Sequence, residues 1–287
     1  VIVGIDVGNT AIKWACDANP NEVVSVRLCD DEGITQVIDQ VAALLKPEFD
    51  AVELGAVELG AAELGAAELG AAEIRIASVN RAAAKVLESG LRPVVGEKVQ
   101  VRIISRHDIP LEVAVDQPDR VGIDRLVGAF GAARGNFHTA GSHDSDKDCD
   151  VALPLVVVDA GTTVTVDLVD ADGVYLGGAI IPGLAMQTSA LASGTDALPK
   201  LDWGTQCGDT ANLDSPGKNT SAAIRLGILS SVVGGIERLI RLYGGPAHLV
   251  VTGGDAGCIA SALSVPCQVE PHLVCRTLTQ LPWAGSC

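Results

Sequence analysis

The sequence predicts an α/β protein built of two similar halves with mixed sheets. Two observations carry this. The pattern strand, Asp-x-Gly-(Asn/Thr)-Thr, strand occurs twice, about half a chain apart: Asp6-Val7-Gly8-Asn9-Thr10 and Asp159-Ala160-Gly161-Thr162-Thr163. Each half also opens rich in strands and continues with strands alternating with helices. A first domain over residues 1–120 and a second over 121–287 are expected, with room for a core in each.

In the first half, Val1 to Ile5 is a short apolar run that predicts a buried strand, and Ala11 to Ala15 predicts a second. Gly8-Asn9 between them is tight-hairpin chemistry, because both residues tolerate positive φ. Such a turn can aim backbone N–H groups at an anion. Val23 to Leu28 extends the meander. Ile34 to Leu45 has helical apolar spacing, and Pro47 ends it. Ala51 to Gly70 is four copies of Ala-(Val/Ala)-Glu-Leu-Gly, with a fifth begun at Ala71. Each copy would turn Leu by about 140° on a helix, so no face stays apolar. The stretch 51–72 is expected to be a low-complexity insertion without catalytic duty, a strained helix or a mobile excursion. Strands follow over Ile74 to Val79 and Val99 to Ile104, with a helix over Ala82 to Leu87 between them. Pro118 to Arg125 leads into a helix over Leu126 to Arg134.

Gly141 to Asp150 predicts an exposed acidic loop. In the second half, Leu155 to Val158 and Val164 to Leu168 flank the second turn. A strand over Val174 to Ile181 ends at Pro182-Gly183, and Met186 to Leu191 predicts a helix. Asp202 to Pro216 is a polar loop. Gly217-Lys218-Asn219-Thr220 precedes a long helix from Ser221 to Leu242. Leu249 to Thr252 is a strand ending in Gly253-Gly254-Asp255.

The net charge of −16 argues against a nucleic-acid surface, which needs clustered Lys and Arg. An anionic substrate would need local compensation by Lys13, Arg125 or metal. No apolar run is long enough to span a membrane. The first apolar run ends at Asp6 with no basic segment before it, so no export signal is expected and the cytoplasm is the expected location. The cysteines at 16, 29, 149, 207, 258, 267, 275 and 287 form no C-x-x-C pair, so zinc lacks support and reduced thiols are expected. The five histidines show no metal-ligand spacing.

Several residues admit two readings. Asp6 ends a strand and is placed to hold a divalent cation, with Lys13 adding a mobile positive charge. Asp124 opens a predicted helix, where it serves either as N-cap or as general base toward a hydroxyl, with Arg125 on an anionic group. Thr220 either caps the helix that begins beside it or meets a carboxylate or phosphate. There is no G-x-x-x-x-G-K-(S/T) and no G-x-S-x-G.

Together the motifs resemble the type III pantothenate kinases, within the acetate and sugar kinase/actin superfamily. DVGNTAIK (6–13), GIDR (122–125), DAGTTVT (159–165), GGAIIPG (177–183), GKNT (217–220) and TGG (252–254) stand in the family's order. They span nearly the whole chain apart from the repeat and the acidic loops. The resemblance implies two ribonuclease H-like domains with ATP between them, a homodimer, and transfer of the ATP γ-phosphate to pantothenate. It implies ATP contacts at Asp6, Val7, Gly8, Asn9, Thr10, Ala11, Ile12, Lys13 and Thr162. Asp124 falls on the catalytic base. Pantothenate contacts fall on Gly122, Ile123, Asp124, Arg125 and Thr220. Asp159 falls on the ligand of a monovalent cation, potassium or ammonium, and Mg²⁺ accompanies the ATP, with Asp6 as its carboxylate.

Two positions depart from the family pattern. Val115 stands where a tyrosine is usual, three residues before Pro118, which touches substrate packing. Thr163-Val164 replaces an Ala-Thr pair, which removes one hydroxyl near the phosphates. The alternatives are a sugar kinase of the same superfamily and a non-enzymatic regulator of the Bvg accessory factor type.

Overall fold

The computed structural model describes residues 1–28, 31–45, 72–96, 99–135, 153–203, 215–245 and 247–282. The repeat, the acidic loop at 141–150, most of the 202–216 loop, His138, His143 and the cysteines at 29, 149, 207 and 287 lie outside them. The chain forms two compact units. One comprises Val1–Pro110, Gly122–Val127 and Val274–Cys287; the other comprises Leu111–Val121 and Gly128–Leu273.

In the first unit the elements run β1 (Ile2–Val7), β2 (Ala11–Cys16), β3 (Val24–Arg27), α1 (Asp31–Leu45), β4 (Glu73–Ser78), α2 (Arg81–Val95) and β5 (Gln100–Ile103). The sheet order is β3-β2-β1-β4-β5. β1 pairs antiparallel with β2 and parallel with β4, so the sheet is mixed. Strand period puts Val3, Ile5 and Val7 on one face with Ile12, Trp14, Ile74 and Ile76. They form one buried core with Val37 and Val41 of α1 and Leu87 and Leu91 of α2. Helix α2 runs past the predicted Leu87 end because Gly90 and Pro93, ordinary breakers, are both tolerated here. A Cβ on Gly90 would collide with Ile38 of α1, so glycine lets the two helices close. Pro93 sits in the last turn.

Helix α3 (Ile123–Arg134) belongs to the first unit as far as Val127 and to the second from Gly128. After it the order of elements is β6 (Leu155–Ala160), β7 (Thr163–Val169), β8 (Tyr175–Pro182), α4 (Leu184–Ser193), α5 (Thr220–Leu242), β9 (His248–Thr252), α6 (Ala256–Ala262), β10 (Gln268–Val269) and α7 (Leu273–Gln280). The sheet order is β10-β9-β6-β7-β8. Read from β8, this is the order of the first sheet, with the same antiparallel hairpins and the same parallel crossover. Val156, Val158, Ala160, Val164 and Val166 face a core completed by Ile228, Leu229, Val232 and Ile236 of α5. The spacing of these α5 residues is helical.

Two ribonuclease H-like sheets are therefore present, and the fold is α/β with mixed sheets. Helix α7 packs on the β1 face that the first core does not use. A Cβ on Gly4 would stand 2.6 Å from the Cys275 carbonyl and 2.8 Å from Leu278 Cβ. Buried Arg75 of β4 fixes the helix end. It donates to the carbonyls of Leu278 at 2.9 Å and Leu281 at 2.8 Å, and to Glu73 at 2.9 Å.

Candidate active site

Asp6 is the penultimate residue of β1, directly opposite Lys13 on β2. Opposed residues of an antiparallel pair share a face, so carboxylate and ammonium lie on the same side. That side is the one α7 packs on. Buried Cys275 of α7 has its thiol pushed up, first by burial and then by the Asp6 charge, against a smaller opposing effect of Lys13. Gly8 does not use positive φ, contrary to expectation. Its N–H donates to the Ala11 carbonyl at 3.0 Å, and an added Cβ would stand 3.1 Å from that oxygen. The Gly8 amide is thus committed to closing the turn. Asn9 and Thr10 are both exposed at the tip.

The GIDR segment sits at the same end of the sheet. Val79, just past β4, donates its N–H to the Val7 carbonyl at 3.3 Å. Its Cγ1 stands 3.6 Å from where a Gly122 Cβ would be. Asp124 lies in the first turn of α3, and its Oδ1 accepts the Arg125 N–H at 2.8 Å. The N-cap reading of Asp124 is corrected. The helix starts at Ile123, and its first backbone bond runs from Leu126 N–H to the Gly122 carbonyl at 3.3 Å. Gly122 is the cap position, where glycine is accepted. A Cβ on Gly122 would stand 2.5 Å from Asp124 Oδ1, so the glycine also makes room for the carboxylate.

In the second unit Asp159 is the penultimate residue of β6, the place Asp6 holds in β1. The Gly161 N–H closes this turn on the Thr163 carbonyl at 3.0 Å. Three motifs converge at the turn. Gly183 donates to the Thr162 carbonyl at 3.1 Å, with no room for a Cβ against Gly161 and Thr162. Gly253, at φ +96°, has none against Ala160, and its Cβ would stand 2.5 Å from Asp159 Oδ1. Val115 lies beside Gly177, 3.4 Å from where its Cβ would be. The N-cap reading of Thr220 is corrected as well: Asn219 caps α5, its side chain accepting the Ala222 N–H at 2.8 Å. Thr220 is the first helical residue and is exposed.

Asp6 to Lys13 and Gly122 to Arg125 thus belong to one unit, Asp159, Thr162 and Thr220 to the other. Ligands of open α/β sheets bind outside the carboxyl ends of strands; Asp6 and Gly122 stand at such an end in one unit, and Asp159 and Thr162 in the other. Sequence reasoning missed the Val79 link and the seating of Gly253 on Asp159. The Gly-Gly after a strand was the available signal for the second.

A family model described as type III pantothenate kinase matches residues 2–242. A type III pantothenate kinase of Rhodopirellula baltica is 45% identical over 303 residues, covering 98% of this chain and 98% of the relative. The chain belongs to the type III pantothenate kinase family. As a member it is an enzyme, a transferase that phosphorylates an alcohol. Type III pantothenate kinases of Desulfovibrio desulfuricans, 30% identical over 96% of this chain and 94% of theirs, and of Persephonella marina, 29% identical over 92% and 91%, are also similar. Among solved structures, a candidate Baf family transcriptional activator from Campylobacter jejuni aligns with a TM-score of 0.54. It covers 97% of this chain and 96% of that one at 17% identity, a likeness of fold alone. No described helix of this kinase is long and apolar enough to cross a membrane.

Proposed function

We infer that this kinase transfers the γ-phosphate of ATP to the primary hydroxyl of pantothenate, the first step of coenzyme A biosynthesis. Beyond family membership, the observation that carries the residue assignment is the seating of Gly122 on Val79, and of Val79 on Val7. It ties the segment bearing Asp124 to the strand end bearing Asp6.

Asp124 takes the hydroxyl proton as attack proceeds, and the Arg125 guanidinium holds the pantothenate carboxylate. Gly122, Ile123 and Thr220 complete the substrate contacts. Val7, Asn9, Thr10, Ala11 and Ile12 of the Asp6–Lys13 hairpin are assigned to ATP, with Gly8 shaping the turn, and Thr162 is assigned to ATP as well. A divalent ion fits Asp6. Magnesium is commonly held by one or two carboxylates plus substrate phosphates, and among the described residues no group of three or more His, Cys, Asp or Glu forms a cage. Bound there, magnesium would neutralise charge on the transferring group. Asp159, at the matching strand end, holds a monovalent cation, potassium or ammonium.

The same reading makes the enzyme a cytoplasmic homodimer. Edge strand β8 leaves Ile180 62% exposed and Leu176 42% exposed. An apolar groove of about 580 Å³ runs between α4 and α5, lined by Ala190, Leu191, Ile224 and Ile228. Both features suit a second copy, and light scattering should give twice the chain mass.

The test is pantothenate phosphorylation with labelled ATP in potassium, ammonium and sodium buffers. Turnover in potassium or ammonium, lower in sodium, and loss of that difference in Asp159→Asn support the reading. Absence of pantothenate phosphorylation under all three ions sinks it.

A further inference from the structure

Thr165 of β7 is only 7% exposed, and its Oγ1 has no hydrogen-bond partner. A buried hydroxyl without a partner has lost its water and gained nothing. It stands directly opposite Asp159 in the β6–β7 register, so the two side chains share a face. On the other flank of Asp159, Thr252 of β9 holds the matching position in the parallel ladder and is 3% exposed. Three neighbouring strands therefore carry hydroxyl, carboxylate, hydroxyl in one row. Gly253 closes behind Asp159, leaving no space for a side chain there.

The first sheet has the same row with other residues. Asp6 is flanked by Lys13 on the antiparallel side and Ala77 on the parallel side. There the positive charge opposite the aspartate is built into the chain. In the second sheet that place is held by a neutral hydroxyl that the protein leaves unpaired. A hydroxyl oxygen offers two lone pairs without adding charge.

We propose that Thr165 Oγ1 is a ligand of the monovalent cation held at Asp159, with the Thr252 hydroxyl on the opposite flank of the same row. The proposal rests on the reading of Asp159 as a cation ligand. One carboxylate and neutral oxygens balance a single positive charge, and oxygen donors of this kind suit hard cations. A water in the same place would also pair the hydroxyl, but it would not distinguish potassium from an inert cation.

The experiment is thermal unfolding of the intact protein, titrated with potassium chloride against choline chloride at constant ionic strength. It is run with and without a non-hydrolysable ATP analogue. In the wild type, potassium should raise the melting temperature with a saturable dose response. Thr165→Val should raise the half-saturating potassium concentration by about 10- to 100-fold, the usual cost of losing a supporting group at a metal site. In choline the same variant should melt at or above the wild-type temperature, because it removes an unpaired buried hydroxyl. Thr165→Ser should restore the potassium response. A wild-type response in Thr165→Val, with the response lost in Asp159→Asn, would overturn this proposal and leave the Asp159 reading standing. A response unchanged in Asp159→Asn, or absent from the wild type under both conditions, would overturn both.

Discussion

Asp124 shows how a single residue decides between structure and chemistry. Gly122 occupies the cap position, and Asp124 Oδ1 accepts the N–H of Arg125. Asparagine keeps that acceptor and removes the proton acceptor. Asp124→Asn should therefore lower turnover by about 10²- to 10⁴-fold, the range for loss of a general base. ATP affinity and melting temperature should change little. Turnover at saturating pantothenate checks this, and an unimpaired variant would remove Asp124 from the chemistry. Gly253 gives a contrasting case, in which backbone conformation is the constraint. Its φ of +96° and the closeness of Asp159 and Ala160 leave no place for a methyl group. Gly253→Ala should cost roughly 1–3 kcal/mol, the scale of a strained backbone position, and weaken the potassium response by displacing Asp159. Gly254→Ala, with nothing within 4 Å of the added Cβ, is the control and should be silent in urea unfolding. At this scale the strand-end positions of Asp6 and Asp159 were legible because each comes at the end of an apolar run. The caps were not: Asp124 and Thr220 both have cap chemistry, and Gly122 and Asn219 beside them have it too, so spacing alone could not choose.

Among elements, the two hairpins were readable from alternating apolar residues around Asp-x-Gly. Helix α7 was not. Leu-Val-Cys-Arg-Thr-Leu-Thr-Gln is short, and β-branched residues interrupt its apolar face. Its place is decided by a distant contact, the Arg75 guanidinium on its last carbonyls. Arg75→Met would leave Glu73, whose Oε1 already lacks a partner, as an uncompensated buried charge. The expected loss is about 3–5 kcal/mol in urea unfolding. ATP affinity should fall with it, since α7 packs on the sheet face that carries Asp6. A smaller loss in Glu73→Gln/Arg75→Met together than in Arg75→Met alone would confirm the charge as the cause. A second latch joins α5 to the turn after α6. The Ser264 hydroxyl donates to Glu237 at 2.7 Å and its N–H at 2.8 Å. Those bonds hold the Glu237 carboxyl below its ordinary 4.5, against burial and with help from Arg241. A lowered folded value means the latch stabilises the protein above pH 4.5 and fades as pH falls through the folded value. In Ser264→Ala the Glu237 titration, tracked by NMR, should move up toward 4.5. No movement would show that the hydroxyl is idle.

At the scale of the whole molecule, duplication made the architecture legible. Two copies of one motif predicted two similar halves, and both sheets have one strand order with an aspartate at the same point of the same strand. The sheet orders themselves were not legible, because crossover partners such as β1 with β4 leave no local mark in sequence. Net charge is the other property of the whole. With 36 acidic and 20 basic residues the chain carries −16, and both inferred substrates are anions. A field of that sign opposes their approach, and added salt screens it over a Debye length of about 10 Å at 0.1 M. Lys13 and Arg125, the cations proposed for the site, would attract only at contact range, where screening is weaker. Inert salt should then relieve repulsion more than it weakens attraction. With potassium and magnesium held saturating, raising choline chloride to about 0.15 M should lower KM for pantothenate and for ATP by roughly twofold, with kcat unchanged. A KM that climbs steadily with choline chloride would mean that the field at the site is positive despite the net charge, and that its few basic residues govern encounter as well as binding.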